Sequence, residues 1–204
     1  IPIALPQVRA RLMSEPWRWG SRFSIDTDAL ALTRIDGLDT RRVSATPAWQ
    51  LPWYSPIGDR YELRLDVRGD LYQTGGDPEA FEGDGTNVTG RAVPRATLRW
   101  SWPWIGEVFG ASQVLEPVAM ATAASAGQNS GDIPNEDSQD FEFDDTSLLD
   151  PSRFPGLDRV QGGSSVAYGL RFGTYTGRQL ISGLFGQAYS LDQDVQFDPA
   201  TGLE

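Results

Sequence analysis

A regular alternation of apolar and polar residues is the feature that most constrains this chain. Between Arg60 and Tyr72 the odd positions are apolar or glycine, and the even positions as far as Asp70 are all charged. Successive side chains of a β-strand point to opposite faces of a sheet, so this segment predicts a strand with one apolar and one charged face. The same period recurs at 22–35, 42–53 and 91–104, and in the last of these the apolar positions are even.

Weaker alternation predicts further strands near 7–12 and at about 113–125, 164–175 and 178–190. The chain is therefore expected to form roughly eight strands of about 8–14 residues. Its 22 Gly and 14 Pro disfavour helices and favour strands separated by turns. No apolar run approaches the ~18 residues that a transmembrane helix needs. The predicted fold class is all-β and antiparallel.

The composition excludes several classes of function. All 17 basic residues are Arg, and the chain contains no His and no Cys. Most zinc sites, thiolate chemistry and hydrolase triads with a His base are thereby excluded, so neither an enzyme nor a cofactor is expected. The net charge of −11 argues against a nucleic-acid partner, because phosphate binding needs a basic face.

The tryptophans lie near alternate connections between the predicted strands. Short turns near 13–19, 54–59, 105–112 and 176–177 belong to one end of the sheet, and the connections near 36–41, 73–90, 126–162 and from 191 onward belong to the other. All seven tryptophans lie in or near the first set and on the apolar phase: Trp17, Trp19, Trp49, Trp53, Trp100, Trp102 and Trp104. An aromatic ring at one end of an apolar face is typical of the membrane-interface girdle of a transmembrane β-barrel.

The lengths of the connections favour the same architecture. Two connections at the second end reach about 18 and 37 residues, as the extracellular loops of outer-membrane barrels do. We therefore expect residues 1–204 to form a single section of an up-and-down transmembrane β-barrel, with long extracellular-type loops at about 73–90 and 126–162. The pattern starts and stops abruptly, which predicts a section of a larger barrel. A soluble β-sandwich, with the apolar phase in its core, is the alternative.

The charged phase of the strands predicts a row of side chains that face the barrel lumen. The predicted lumen-facing residues are Arg64, Asp66, Arg68, Arg95, Arg99 and Glu116. Arg binds phosphate in a bidentate manner, so these rows are candidates for contact with anionic head groups. A polar lumen wall whose charges balance explains the same rows without a ligand.

The segment Asn135–Gly163 mixes carboxylates, aromatic residues and arginines in one long loop. Several carboxylates in one loop are potential Ca²⁺ or Mg²⁺ ligands, but their spacing matches no EF-hand, and no metal site is predicted. We expect the phenylalanines to anchor the loop in the barrel mouth, while Arg153 and Arg159 pair with aspartates. The candidate residues of this mouth loop are Asp137, Phe141, Phe143, Asp144, Asp145, Arg153, Phe154, Asp158 and Arg159.

An ordered set of short motifs in and after this loop resembles the barrel domain of the LptD family, also called OstA or Imp. The set is Phe141-Glu142-Phe143-Asp144-Asp145-Thr146, Arg153-Phe154-Pro155-Gly156-Leu157-Asp158-Arg159, Gly162-Gly163 and Tyr168-Gly169-Leu170, with shorter matches at 5–8 and 115–117. The resemblance implies a barrel of roughly two dozen or more strands. It also implies a translocon that assembles lipopolysaccharide at the cell surface, in the outer membrane of a Gram-negative bacterium.

The resemblance further implies the partners of such a section. They are lipopolysaccharide, an LptE-like lipoprotein that plugs the lumen, outer-membrane lipid, and the remaining strands and periplasmic domain of the same chain. The section then corresponds to the middle of the barrel, and the strands of the lateral gate lie outside it. A porin- or receptor-type outer-membrane barrel is the alternative, followed by a soluble β-sandwich binding module.

Overall fold

The computed structural model shows one open, all-antiparallel sheet. It describes residues 3–4, 7–34, 39–75, 87–126, 129–138, 148–152, 154 and 156–192. Within these ranges the strands follow one another in chain order across the sheet, which confirms the predicted all-β, up-and-down fold class. No helix in the described part of the chain is long and apolar enough to cross a membrane.

Ten strand segments and one 3₁₀ turn, Arg18–Gly20, make up the sheet and its connections. The strands are β1 Ile3–Ala4, β2 Val8–Met13, β3 Arg22–Thr33, β4 Asp39–Tyr54, β5 Arg60–Gly75, β6 Asn87–Ser101, β7 Trp104–Val108, β8 Ala111–Ala124, β9 Gly163–Tyr175 and β10 Leu180–Ser190. β1 and β2 both pair with β3, and β6 and β7 both pair with β8, so each of these two pairs occupies a single strand position in the sheet. The ten described segments therefore form eight rows of strands, and the sequence periodicity predicts roughly eight strands.

The sequence predicts a continuous strand at 91–104 followed by a turn at 105–112. The structure instead has a break between β6 and β7, and pairing continues to Val108. Proline has no backbone N–H to donate, so Pro103 interrupts the ladder just after Trp102 donates to the carbonyl oxygen of Pro117 at 3.1 Å. Pairing resumes in β7, and the connection to β8 is the two residues Phe109 and Gly110. Both have positive φ, as a two-residue hairpin turn that matches the twist of its strands requires.

The two faces of the sheet have the reverse of the burial expected for a soluble protein. On the apolar face, Leu65, Val67 and Leu71 of β5 are 43, 46 and 61% exposed. On the charged face of the same strand, Asp66 and Asp70 are only 4 and 2% exposed. We call the charged face the inner face and the apolar face the outer face. A soluble sandwich would bury the apolar phase, and here that phase is exposed.

The protein core lies on the inner face, between the sheet and the loop that joins β8 to β9. Tyr72 and Val93 come from the strands, and Ile133, Leu148 and Val160 come from the loop; all five are at most 5% exposed. Gly186 of β10 makes room for the loop, because a Cβ there would lie 2.6 Å from Leu148 Cδ2. The loop therefore fills the space that a second sheet would fill in a sandwich.

We predict that the outer face is stable only in contact with lipid. Replacement of Val67, at the middle of β5, by Arg should lower the free energy of unfolding in lipid vesicles by about 2–4 kcal/mol, because a guanidinium at mid-bilayer depth is poorly solvated. Val88→Arg is the matched control at the end of β6, on the same face, where the cost should fall to about 0–1 kcal/mol. The measurement is urea unfolding of the full-length protein in vesicles. Equal costs at the two positions would contradict a lipid-facing wall.

Candidate functional site: a loop clamped to the charged face of the sheet

The loop between β8 and β9 is held together by two aspartates that bind each other's backbone. Asp137 Oδ1 accepts hydrogen bonds from the backbone N–H groups of Leu157 and Asp158, both at 2.9 Å. Asp158 Oδ2 accepts in return from the N–H groups of Glu136 and Asp137, at 2.7 and 3.1 Å. The arrangement satisfies four backbone donors that would otherwise be unpaired in a loop. We call Asp137 and Asp158, together with Arg42 of β4, the loop clamp.

Glycine at position 156 is required for this close approach. A Cβ on Gly156 would lie 2.2 Å from both the carbonyl oxygen and the Oδ1 atom of Asp137. No side chain fits at that distance, so the segment that carries Asp158 reaches Asp137 only with Gly in this position.

Arg42 joins the clamp to the sheet. Its side chain is 1% exposed, and its Nη1 atom donates to Asp137 Oδ2 at 2.7 Å and to Asp158 Oδ1 at 2.6 Å. Its Nη2 atom donates to Asp28 Oδ1 of β3 at 2.9 Å. Three carboxylates thus surround one buried guanidinium, which offsets the large cost of removing these charges from water.

A second group of inner-face residues binds the backbone of the same loop segment. Arg91 donates through Nη2 to the carbonyl oxygen of Leu157 at 2.6 Å and through Nη1 to that of Asp158 at 2.9 Å. Arg68 also donates to the Leu157 carbonyl, and the Tyr72 hydroxyl donates to Asp158 Oδ1 at 3.2 Å. Asp70 accepts from both Arg68 and Arg91, at 3.0 and 2.6 Å. Residues 157–158 are therefore fixed from the sheet side as well as from within the loop.

Further contacts hold the two ends of the described loop. Asn129 donates to the carbonyl oxygen of Val160 at 2.8 Å and accepts from its N–H at 3.0 Å. Glu136 forms an ion pair with Arg34, which follows β3. The side chain of Arg159 donates from Nη1 to the carbonyl oxygen of Ile133 at 3.1 Å, where the sequence suggested an aspartate partner.

The structure brings together some of the predicted mouth-loop residues. Asp137 and Asp158 meet in the clamp, Arg159 lies beside them, and Phe154 lines a cavity between loop and sheet. Phe141, Phe143, Asp144, Asp145 and Arg153 lie outside the described residues. Within the described ranges no group of three or more acidic side chains is placed to hold a metal ion.

All six residues predicted to face the lumen lie in strands with described partners. Arg64 and Arg95 both contact Asp66, at 3.0 Å each, and Arg68 contacts Asp70. Arg99 pairs with Glu62 at 3.3 Å, and Glu116 pairs with Arg171 of β9 at 2.7 Å. Each of the six charges thus has an oppositely charged partner on the same face of the sheet, and Arg64 and Arg95 share one aspartate.

The tryptophans lie in the β2–β3 connection, in β4, and from the end of β6 into β7. Trp53 stacks on Tyr61 with ring centroids 5.0 Å apart, and Trp102 meets Trp104 edge to face at 5.1 Å. Trp100 donates from its indole nitrogen to Asp59 at 2.9 Å. Trp17 and Trp19 are 58 and 82% exposed, and Trp49 pairs with Phe23 of β3. Their position at a membrane interface stays a prediction.

Several residues that hold the loop on the sheet were not among the candidates from the sequence. They are Asp28, Arg42, Asp70, Tyr72 and Arg91, and all but Tyr72 lie on the polar phase of their strands. The sequence did contain one indication of these contacts. The strands place many charged residues on the inner face, and each of these charges needs an oppositely charged or polar partner. The partner segment, however, lies 95 to 116 residues away from Arg42.

The comparison with known families agrees with the fold. A family model described as LptD, LPS transport system D, matches residues 1–203 of the chain. In a comparison with curated proteins, none matches this chain.

We predict that Asp158 is essential for the stability of the docked loop. Asp158→Asn removes the carboxylate between Arg42 and two backbone donors, so the free energy of unfolding should fall by about 3–5 kcal/mol, as when one partner of a buried pair is lost. Glu116→Gln is the control, because its partner Arg171 is half exposed, and it should cost about 0–1 kcal/mol. Urea unfolding of the full-length protein measures both. Similar costs for the two variants would show that the clamp adds no stability.

Acid should release the loop only at low pH. Burial disfavours the charged form of Asp137, but hydrogen bonds from Arg42 and from the N–H groups of Asp158 and Leu157 outweigh it and lower the pKa of Asp137 to about 2, from 3.8. Since docking favours the carboxylate, its contribution is complete above pH 3.8 and is lost as the pH falls towards 2. Pepsin cleavage of the loop, normalised to an unfolded peptide at each pH, should rise in that window. Asp137→Asn should remove this part of the pH dependence, and a rise already at pH 5 would contradict the assignment.

Proposed function

Because the chain belongs to the LptD family of LPS transport proteins, we propose that it forms part of the wall of the outer-membrane barrel that delivers lipopolysaccharide to the cell surface. In this proposal the outer face contacts the lipid of the outer membrane, the inner face lines the lumen, and the β8–β9 loop restricts the extracellular mouth. The section acts by binding and excluding molecules, since the family is a transport family and not an enzyme family.

The observation that carries the proposal is the reversed burial of the two faces of the sheet. Apolar side chains such as Leu65 and Val67 are 43 and 46% exposed on one face, whereas Arg42 and Asp70 are 1 and 2% exposed on the other. Such an arrangement is unfavourable in water and favourable in a bilayer, where the apolar face meets acyl chains. The polar inner face then surrounds a water-filled or plugged lumen.

The tryptophans support an orientation for this wall. They lie near the turns β2–β3, β4–β5 and β7–β8, which are all at one end of an up-and-down sheet. We assign this end to the periplasmic interface, because outer-membrane barrels have short periplasmic turns and long extracellular loops. Amphipathic indole rings are stable at the level of the lipid head groups.

The inner face is proposed to accept the lumen plug or the sugar part of the cargo. Polar groups on that face, such as Arg99 and Glu116 with their ion-pair partners, are partly exposed and keep hydrogen-bonding capacity. An LptE-like lipoprotein is the proposed plug. Its docking site would lie on the part of the inner face that the loop leaves uncovered.

The loop is proposed to act as a fixed barrier at the mouth. Its contacts with the inner face involve three strands, because Arg42 is in β4, Arg68 and Tyr72 are in β5, and Arg91 is in β6. A segment bound to three strands cannot be displaced without breaking several buried charged hydrogen bonds together. Large solutes are therefore excluded while the loop stays docked.

A porin- or receptor-type barrel is the second candidate, favoured by the acidic charge of the chain and the arginine rows of the inner face. Conductance of the full-length protein in planar bilayers distinguishes the two. A steady, solute-selective conductance without a plug lipoprotein would favour a porin.

We predict that loosening the clamp raises the permeability of the outer membrane. Cells that depend on the Asp158→Asn variant should become several-fold more sensitive to a bulky hydrophilic antibiotic such as vancomycin, because the mouth is no longer closed. Arg159→Gln, which removes one hydrogen bond to the Ile133 carbonyl, should have a smaller effect in the same direction. Arg178→Gln, in the β9–β10 turn and outside the loop, is the control for expression and folding. Unchanged sensitivity in Asp158→Asn cells with normal protein levels would refute the role of the loop as a barrier.

A further inference from the structure

A cavity of about 650 Å³ lies between the inner face and the underside of the loop, beside the clamp. Its sheet side is formed by charged and hydroxyl side chains of β2 to β6, and its loop side by Phe154, Leu157 and Val160, among others. Neither the loop clamp nor the proposed barrier role uses this space. The charged side chains that line it are mostly arginines.

Basic side chains dominate the described lining of the cavity. Five arginines and two aspartates line it, a formal charge of +3, and with the two buried aspartates that bind these arginines the local charge is +1, although the whole chain carries −11. The arginines are Arg9, Arg11, Arg64, Arg68 and Arg95, and the aspartates are Asp26 and Asp28. Both aspartates are already ion-paired, Asp26 with Arg11 and Asp28 with Arg9 and Arg42. A local positive charge in an acidic protein is what an anion site requires.

The arginines are held in place from behind by buried carboxylates. Asp66, whose side chain is 1% exposed, binds Arg64 through Nε at 3.0 Å and Arg95 through Nε and Nη2 at 3.3 and 3.0 Å. Asp70, with a fully buried side chain, binds Arg68 through Nε at 3.0 Å. The carboxylates fix the orientation of the guanidinium groups but remain out of the cavity. Preorganised groups of this kind lose little entropy when they bind a ligand.

Several guanidinium nitrogens remain available to a ligand. Among the contacts of the described residues, both Nη atoms of Arg64 and the Nη1 atoms of Arg68 and Arg95 have no protein acceptor. These side chains are 17, 13 and 20% exposed, so they are shielded from bulk water but reachable. Planar N–H forks in a partly desolvated site match the oxygens of a phosphate group.

We propose that this cavity is an anion site that binds a phosphate group, with Arg64 and Arg95 as its principal ligands and Arg68 beside them. The geometry of the guanidinium groups supports an oxyanion ligand independently of the proposed function. A phosphorylated sugar of the lipopolysaccharide cargo as its source rests on the proposed function. Free inorganic phosphate is the other possible source of the same chemistry. The hydrophobic loop side favours a ligand that also presents an apolar surface, such as the face of a sugar ring.

The test is calorimetric titration of the full-length protein in detergent with a bis-phosphorylated glucosamine disaccharide, and with the same disaccharide without phosphates. We expect only the phosphorylated form to bind, with affinity that falls as salt is added. Competition with inorganic phosphate distinguishes the two sources of the ligand. If inorganic phosphate displaces the disaccharide at equal concentration, the site recognises phosphate alone. If it displaces the disaccharide only weakly, the sugar contributes to binding. Absence of binding by both phosphate compounds would overturn the proposal.

Arg64→Gln is the informative variant, because Asp66 keeps its two hydrogen bonds from Arg95 and the fold is not left with an orphaned carboxylate. It should weaken binding of the phosphorylated disaccharide about tenfold, as loss of a charged hydrogen-bond donor does. Arg64→Lys should restore part of the affinity, since the charge is kept and the fork is lost. Arg178→Gln, which also removes one arginine but lies in the β9–β10 turn outside the cavity, should bind like the wild type. Equal affinity of Arg64→Gln and wild type would overturn the assignment, whether or not cells still deliver lipopolysaccharide.

Discussion

The buried guanidinium of Arg42 is the interaction on which the docking of the loop depends. Moving a charged group out of water costs several kcal/mol, and close carboxylates offset that cost. Asp28 alone is not enough, since this carboxylate also binds Arg9 and Gln7. The two loop carboxylates, 2.6 and 2.7 Å from Arg42 Nη1, bring the number of carboxylates around the guanidinium to three, while its buried Nε atom has no partner among the described residues. Sheet and loop are therefore energetically coupled: each leaves buried charges unpaired without the other.

This coupling follows from the alternation of the strands. In a strand every second side chain points to one face, so an apolar outer face forces the charged residues onto the inner face. Their charges must then be compensated within the protein. Towards the turns, neighbours within the sheet suffice, as Arg99–Glu62 and Arg171–Glu116 show. Nearer the long loops, compensation needs a further segment, and the loop provides both carboxylates and carbonyl oxygens there.

The strands could be predicted from the sequence because the alternation that produces them is visible within each segment. Period-two alternation locates β3 to β6 to within a few residues, and the number of rows is correct. The break before β7 was missed because the alternation continues through Trp102 and Trp104, and periodicity does not register the N–H that Pro103 lacks. The clamp itself was not predicted: two of its three residues, Asp137 and Asp158, were candidates of the mouth loop, but Arg42 was not. Contacts across some hundred residues depend on how the chain returns to the sheet, which no local pattern encodes.

The distribution of arginines divides the inner face into two kinds of surface. Arg42 and Arg91 are 1 and 8% exposed and bind aspartates and the loop, so they serve the structure. Arg64 and Arg95 share Asp66, and among the described residues both Nη atoms of Arg64 and the Nη1 atom of Arg95 have no protein acceptor. Compensation of charge within the described residues needs only one arginine at Asp66. The second arginine is accounted for where an anion supplies further negative charge, and that would distinguish the proposed binding surface from a balanced wall.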